Sequence, residues 1–357
     1  MVDMPVFILA INPGNTSTKI GVFENTKPII IKNISHSDEE LKRFKSIAEQ
    51  KDFRISCILS EIEKEDFDIK TLNCVVGRGG LLKAVESGTY IVNENMLSDL
   101  RKAERGEHAS NLGGIIAYEI ATKYHIPSYI VDPVAVDEME DIARISGFVE
   151  IERESLLHAL NTKAVAKRYS AMVSKRYEDL RLIVAHLGSG ISISAHIGGR
   201  MVDVINPRDE GPFSPDRAGG LPALKLAKLC FSGKYDYKTL ERKLFGEGGI
   251  YSYLGTRDLR KVMEMIDSND KKAKMIYDAM VYQISNYIGY MAPVLMGRID
   301  CIILTGGMAN EKRLIEDIKK RISFLGKIEV FPGEDELQAL AEGAYRVMKH
   351  IEQVRVY

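Results

Sequence analysis

Two stretches of this chain are written in the same order, and that order constrains the fold more than any other feature. Residues 6–23, VFILAINPGNTSTKIGVF, and 182–199, LIVAHLGSGISISAHIGG, each pass from an apolar strand through glycine and small polar residues into a second strand. Aligned on each other, 183–185 fall on 9–11, His186 on Asn12 and Gly188 on Gly14. A third stretch, DCIILTGGMANEKRLIEDIKKR (300–321), reads as a buried strand, a Gly-Gly turn and an amphipathic helix. Between them, LNCVVGRGG (72–80) is a strand ending in a glycine-rich turn, NLGGIIAYEIATKYH (111–125) a helix, and SYIVDP (128–133) a strand with an acidic end. The charged segment 38–51 has helical character, and FPGEDELQALAEGAYRVMKHI (331–351) is a turn followed by a helix. Strands alternating with helices predict an α/β protein. In such sheets ligands gather at the carboxyl ends of the strands, where these glycine-rich turns fall.

A chain of 357 residues is long for one core, so two domains are expected. The charged segment VEIERES (149–155) is the best place for the join. A net charge of −1 argues against nucleic acid or a membrane as partner, so any phosphate site is local, built from a few cations and backbone amides. The four cysteines are scattered without a C-x-x-C pair, which argues against zinc and a disulfide framework and for a reducing cytoplasm. The first apolar run is short and lacks a basic leader, so it is expected to be a strand rather than a signal peptide, and no run is long enough to span a bilayer.

The segment 12–19 supplies what a phosphate loop needs: glycine for close backbone approach (Gly14), hydroxyls (Thr16, Ser17, Thr18) and a point charge (Lys19). It is not a Walker A loop, since the spacing is absent and a strand follows it. By itself it reads as a polar hairpin rather than a site. Three such loops, each after an apolar strand, favour a nucleotide site.

The order N-x-G-N-T-S-x-K, H-L-G-S-G, T-G-G resembles the acetate kinase family of the sugar kinase, heat-shock chaperone and actin superfamily. PRDEGPFSPDRAGGLP (207–222) and FPGEDELQALAEGA (331–344) are similar to the butyrate kinases within it. The resemblance implies two ribonuclease-H-like (actin-like ATPase) domains with a nucleotide cleft between them. It divides the chain into an acyl-substrate domain, 1–153 with a returning helix 340–357, and a nucleotide-binding domain, 154–339. ATP or ADP with Mg2+ is the implied cofactor. A short-chain carboxylate or its acyl phosphate is the implied partner, and a homodimer or larger homo-oligomer the implied assembly. Residue by residue, Arg78, Asp132, His158, Arg217 and His108 resemble the family's catalytic set, with Arg78, Gly79 and Gly80 at the acyl substrate. Asn12, Gly14, Thr16, Ser17, Thr18 and Lys19 match the first nucleotide loop, and His186, Leu187, Gly188, Ser189 and Gly190 the second. Asp258 and Arg260 fall on a nucleoside-contact segment, and Gly306, Gly307 and Asn310 on the adenosine turn. Asn12, Asp132 and Glu336 resemble the metal-side residues, with Glu334 the alternative to Glu336.

Acetate kinases resemble R-V-V-H-G-G where this chain has Arg78-Gly79-Gly80-Leu81-Leu82. A missing valine side chain would open room for a longer acyl tail, so Gly80 is expected to admit four-carbon acids. The competing reading makes Gly79 and Gly80 a tight turn only. Butanoate + ATP = butanoyl phosphate + ADP is the expected reaction, with other short-chain or branched carboxylates, a hydroxyl-substrate (sugar) kinase and an actin-like ATP switch as alternatives.

Overall fold

The computed structural model describes residues 4–357. The chain forms two compact units: the chain up to Asp137 together with Asp335–Tyr357, and Glu138–Glu334. The charged segment 149–155 therefore lies within the second unit.

The first unit contains β1 (Phe7–Pro13), β2 (Ser17–Glu24), β3 (Lys27–Ser35), β4 (Cys74–Arg78), β5 (Thr89–Ile91) and β6 (Ser128–Val131). The second contains a short exposed hairpin, β7 (Ile145–Phe148) and β8 (Ile151–Glu152), and then β9 (Leu182–Leu187), β10 (Ile191–Ile197), β11 (Arg200–Ile205), β12 (Cys301–Gly306) and β13 (Ile328–Pro332). The last strand, β14 (Arg355–Val356), returns to the edge of the first sheet. The first sheet runs β14-β5-β6-β4-β1-β2-β3 and the second β11-β10-β9-β12-β13. Each has an antiparallel three-strand meander whose first strand pairs in parallel with a later strand, β1 with β4 and β9 with β12. The repeat visible between 6–23 and 182–199 is thus a repeat of topology.

Strand alternation explains what each meander buries. In β1 and β2, Leu9, Ile11, Ile20 and Val22 face the helices Lys51–Lys64 and Asn111–Tyr124, which answer with Ile58, Ile62, Leu112, Ile116 and Ile120. In the second unit the helix Lys271–Val294 lays Ala273, Tyr277, Met280, Ile284 and Ile288 against the sheet. Its start is fixed by Asp270, whose carboxylate accepts from the Lys272 and Ala273 amides. The helical segment expected over 38–51 is instead a one-turn helix, Asp38–Leu41, closed by a Ser37–Glu40 capping box. The charged run has no apolar stripe to bury, and the long helix begins at Lys51, where Ile58 and Ile62 form one.

Glycine matters most where β4 meets the helix Asn111–Tyr124. A Cβ on Gly77 would collide with the Gly113 carbonyl, and one on Gly113 with the Arg78 backbone. This close approach sets the end of β4, and with it Arg78. Gly77→Ala is expected to destabilise the unit by about 2 kcal/mol or more, as overpacking against backbone cannot relax by rotamer change. Denaturant melts of the variant and wild type measure this difference.

Candidate functional site

In the first unit the parallel pairs β1–β4 and β4–β6 align three strand ends. Ile11 pairs with Gly77, so Asn12 and Arg78 are the next residues along, and Arg78 pairs with Val131, just before Asp132. Glu336 opens the helix Glu336–Met348 and meets the first two. Arg78 Nη2 lies 3.1 Å from Glu336 Oε1, and Arg78 Nη1 donates to Glu336 Oε2 at 3.2 Å. Arg78 Nη1 also reaches Asn12 Oδ1 at 3.4 Å, while Asn12 Nδ2 donates to Glu336 Oε2. The guanidinium thus grips a carboxylate with both prongs, the geometry in which arginine binds planar anions best.

Asp132 is buried, with φ of 38°, and its Oδ1 accepts from the Ser87 hydroxyl and the Gly88 amide, each at 2.7 Å. It fastens the turn before β5. His108 is tied locally: its Nδ1 accepts from the Ser110 amide at 3.1 Å and lies 2.7 Å from the Ser110 hydroxyl. Crowding by protein, then the charge of Arg78, holds its imidazole below the usual range, although part of the ring faces solvent.

The first loop divides by strand alternation. Lys19 pairs with Asn12 and is exposed, as is Thr16, while Gly14 and Ser17 are half-buried. Thr18 differs from its expected role as a ligand donor. Its hydroxyl is fully buried, 2.9 Å from His36 Nε2 and accepting from Arg54 Nη1 at 3.0 Å, so it anchors the loop from beneath.

The turn after Arg78 also differs from expectation. A Cβ on Gly79 would fall 2.9 Å from the Pro133 Cα, and one on Gly80 2.6 Å from the Asn111 Cα and 2.9 Å from Leu100 Cδ2. Asn111 Oδ1 accepts from the Leu81 amide at 2.9 Å, holding this turn against the helix. The side of Gly80 where a valine would go is filled by protein and holds no room for an acyl tail.

In the second unit, His186 at the end of β9 stacks on His158, ring centroids 3.8 Å apart and planes 8° from parallel. His158 precedes the helix Ala159–Met172, and its Nδ1 lies 3.1 Å from the Ser192 hydroxyl. Asn161, one turn on, places its Nδ2 2.9 Å from His186 Nδ1 and donates to Thr305 Oγ1 at 3.1 Å. The other ring nitrogen, His186 Nε2, lies 3.0 Å from Glu334 Oε1. Glu334, the alternative to Glu336, thus belongs to this cluster, whereas Glu336 belongs to the first unit.

Arg217 packs on the same loop. Its Cζ would lie 2.6 Å from a Cβ on Gly190, and its other face covers the Phe245 ring at 4.3 Å. Its Nη1 donates to the Pro207 carbonyl at 3.2 Å, and burial draws its pKa below the ordinary arginine value. Ser214 donates to the Ser189 carbonyl, which fastens 207–222 to the loop. Gly306, with φ of 93°, lies against the Leu187 backbone, and a Cβ on Gly307 would meet open space. Asn310 Nδ2 donates back to the Gly307 carbonyl at 3.0 Å. His158, residues 186–190, Arg217 and the 306–307 turn therefore come together. Asp258 and Arg260 are instead committed to each other: Asp258 caps the helix Leu259–Asp267, and Arg260 Nη2 lies 2.8 Å from its carboxylate.

Arg54 and Asn161 join these clusters from outside the expected site residues. Arg54 carried a legible signal, as a charged residue on the apolar stripe 54–58–62. Asn161 carried none, because its partners lie 25 and 144 residues away.

The Acetokinase family model matches residues 153–344, over half the chain. Among solved structures, acetate kinase from Porphyromonas gingivalis is similar at 18% identity and a TM-score of 0.78, covering 97% of this chain and 100% of its own. A propionate kinase from Francisella tularensis matches at 17% identity and a TM-score of 0.72, covering 95% and 99%. Acetate kinase from Entamoeba histolytica matches at 16% and 0.74, covering 94% and 98%. At these identities the likeness carries the fold, the two-unit, actin-like α/β architecture expected from the sequence.

Gly80→Val is accordingly expected to cost about 2 kcal/mol of stability, as overpacking does. Relative efficiency on two- and four-carbon acids should stay unchanged in whatever fraction folds. Melts and parallel kinetics on the two acids measure both.

Proposed function

The chain belongs to the acetokinase family, and on that premise we propose that it transfers the terminal phosphoryl group of ATP to butanoate, directly, in line and reversibly. Family membership itself carries the coarser statement, an ATP-dependent kinase of short-chain carboxylates. The observation that supports a carboxylate acceptor most is the two-pronged grip of Arg78 on Glu336, since the same fork fits a substrate carboxylate. A hydroxyl acceptor has no use for such a fork. The choice of butanoate rests on 207–222 and 331–344, and branched or other short acids remain the alternative substrates.

A short-chain acid titrates near the glutamate reference of about 4.3, so at neutral pH the nucleophile is already ionised and needs no general base. The commitment of Asp132 Oδ1 to the 87–88 turn supports its reading as an organiser. The obstacle is repulsion between two anions. In the proposed roles, Arg78 holds the carboxylate, and Arg217, His158 and the 186–190 loop hold phosphate oxygens.

Magnesium prefers oxygen ligands and binds through one or two carboxylates plus phosphates and water. Among the described residues no group of three or more His, Cys, Asp or Glu side chains that could hold a metal ion occurs. Glu336 and Asn12 offer the oxygens on the protein side, with Asp132 as organiser, and the ion would neutralise charge on the phosphates. Since Arg78 and Asn12 engage both Glu336 oxygens, substrate uptake exchanges that pairing.

Among the described residues no helix is long and apolar enough to cross a membrane, and a cytoplasmic home is part of the proposal. So is a homodimer or larger homo-oligomer, which exposed Leu224, Phe231 and Tyr237 of the second unit support.

ATP with two- to five-carbon acids and hydroxylamine tests this directly, with glycerol and glucose as hydroxyl controls. Acyl hydroxamate is expected, with the best efficiency on butanoate; none from any acid overturns the proposal. Arg78→Ala and Arg217→Ala should each lower turnover by about 10²–10³. Near-wild-type rates in both folded variants would remove their assigned roles.

A further inference from the structure

Among the described residues, Arg54 is the only arginine in the group of largest fully buried side chains, at 1% exposure. Its partners are all neutral oxygens. Nη1 donates to the carbonyls of Gly14 (2.9 Å) and Ser17 (3.0 Å) and to Thr18 Oγ1, and Nη2 to the Asn15 carbonyl (3.1 Å). Gln50 Oε1 accepts from Nε and Nη2. A buried cation matched only by dipoles retains its net charge, and it lies beneath the loop 14–18.

The bonding dictates which way the loop faces. In a planar trans peptide the C=O of one residue and the N–H of the next point in opposite directions. Gathering the Gly14 and Asn15 carbonyls onto the guanidinium turns the Asn15 and Thr16 amides outward. Neither amide has an acceptor among the described residues, whereas the Gly14 amide is spent on the Ser17 carbonyl. Outward-facing consecutive amides above a buried positive charge form an anion receptor. A Cβ on Gly14 would make only ordinary contacts, 3.5 Å from Ser17, so internal crowding does not demand this glycine.

We propose that Arg54 is the positioning residue of this loop, drawing carbonyls inward so that the Asn15 and Thr16 amides receive the phosphoryl oxygens of ATP or acyl phosphate. The inference rests on the phosphoryl-transfer reading above. Arg54 does not touch the ligand; it acts through the backbone. Lysine cannot replace it, because one ammonium cannot hold a planar fork's spread of carbonyls.

Amide 1H–15N spectra of the wild type, titrated separately with Mg-ATP, Mg-ADP and butanoyl phosphate, test the receptor. The Asn15 and Thr16 resonances should move with at least one ligand, and the responsive ligand identifies which phosphoryl group is held. In Arg54→Lys those shifts should be lost and the KM for ATP should rise by about tenfold or more, the worth of charge-assisted hydrogen bonds. The KM for the carboxylate should not move, a split that general loosening of the fold would not produce. Arg54→Gln repeats the test without charge. If ATP binds but the two amides stay still in the wild type, or if Arg54→Lys keeps the wild-type KM for ATP, the inference is overturned. If no phosphorylated ligand binds the wild type, the phosphoryl-transfer reading itself falls.

Discussion

Parallel pairing of β1 with β4, and of β9 with β12, is the constraint on which the rest depends. Parallel strands end on the same side of a sheet, so residues distant in sequence become neighbours there. Asn12 meets Arg78 because Ile11 pairs with Gly77, and His186 pairs with Thr305 by the same logic. The pairing in turn depends on glycine where a second element must come close. Gly77 and Gly113 bring β4 onto its helix, and Gly306 lies on the Leu187 backbone.

Onto these rows of strand ends the chain places cations whose partners are mostly neutral. Arg217 lies between a glycine and a phenyl ring, and Arg54 among carbonyls. Arg78 is the exception, holding Glu336 in the geometry a carboxylate ligand would use. Positive charge kept under-compensated in partly buried surroundings acts strongly on an anion brought beside it, because little water screens it. A reaction between two anions needs this arrangement more than it needs a base.

Much of the fold was legible because hydrophobic periodicity and glycine-rich turns are local signals. The strands, the helix 111–124 and the likeness of the two meanders all follow from them. Alternation with period two could also have separated Thr18, facing inward, from Lys19, facing out. Contacts made by distant segments leave no such local signal. Gly80 seemed to leave room until Asn111, at the start of a later helix, filled it. Asp258 and Arg260 looked like ligand contacts but satisfy each other at a helix start. Arg54 belongs to no recognisable motif, and only its place on the helix face of Ile58 and Ile62 marks it as buried.

The central claim is that a carboxylate oxygen attacks the terminal phosphorus of ATP. Butanoate labelled with 18O in its carboxyl group, incubated with ATP and the enzyme, tests this by 31P NMR of the acyl phosphate formed. The account predicts an isotope-shifted phosphorus resonance, because the labelled oxygen becomes the bridge between carbon and phosphorus. An acyl phosphate whose phosphorus carries no label, or ADP formed with no labelled acyl phosphate, would contradict it.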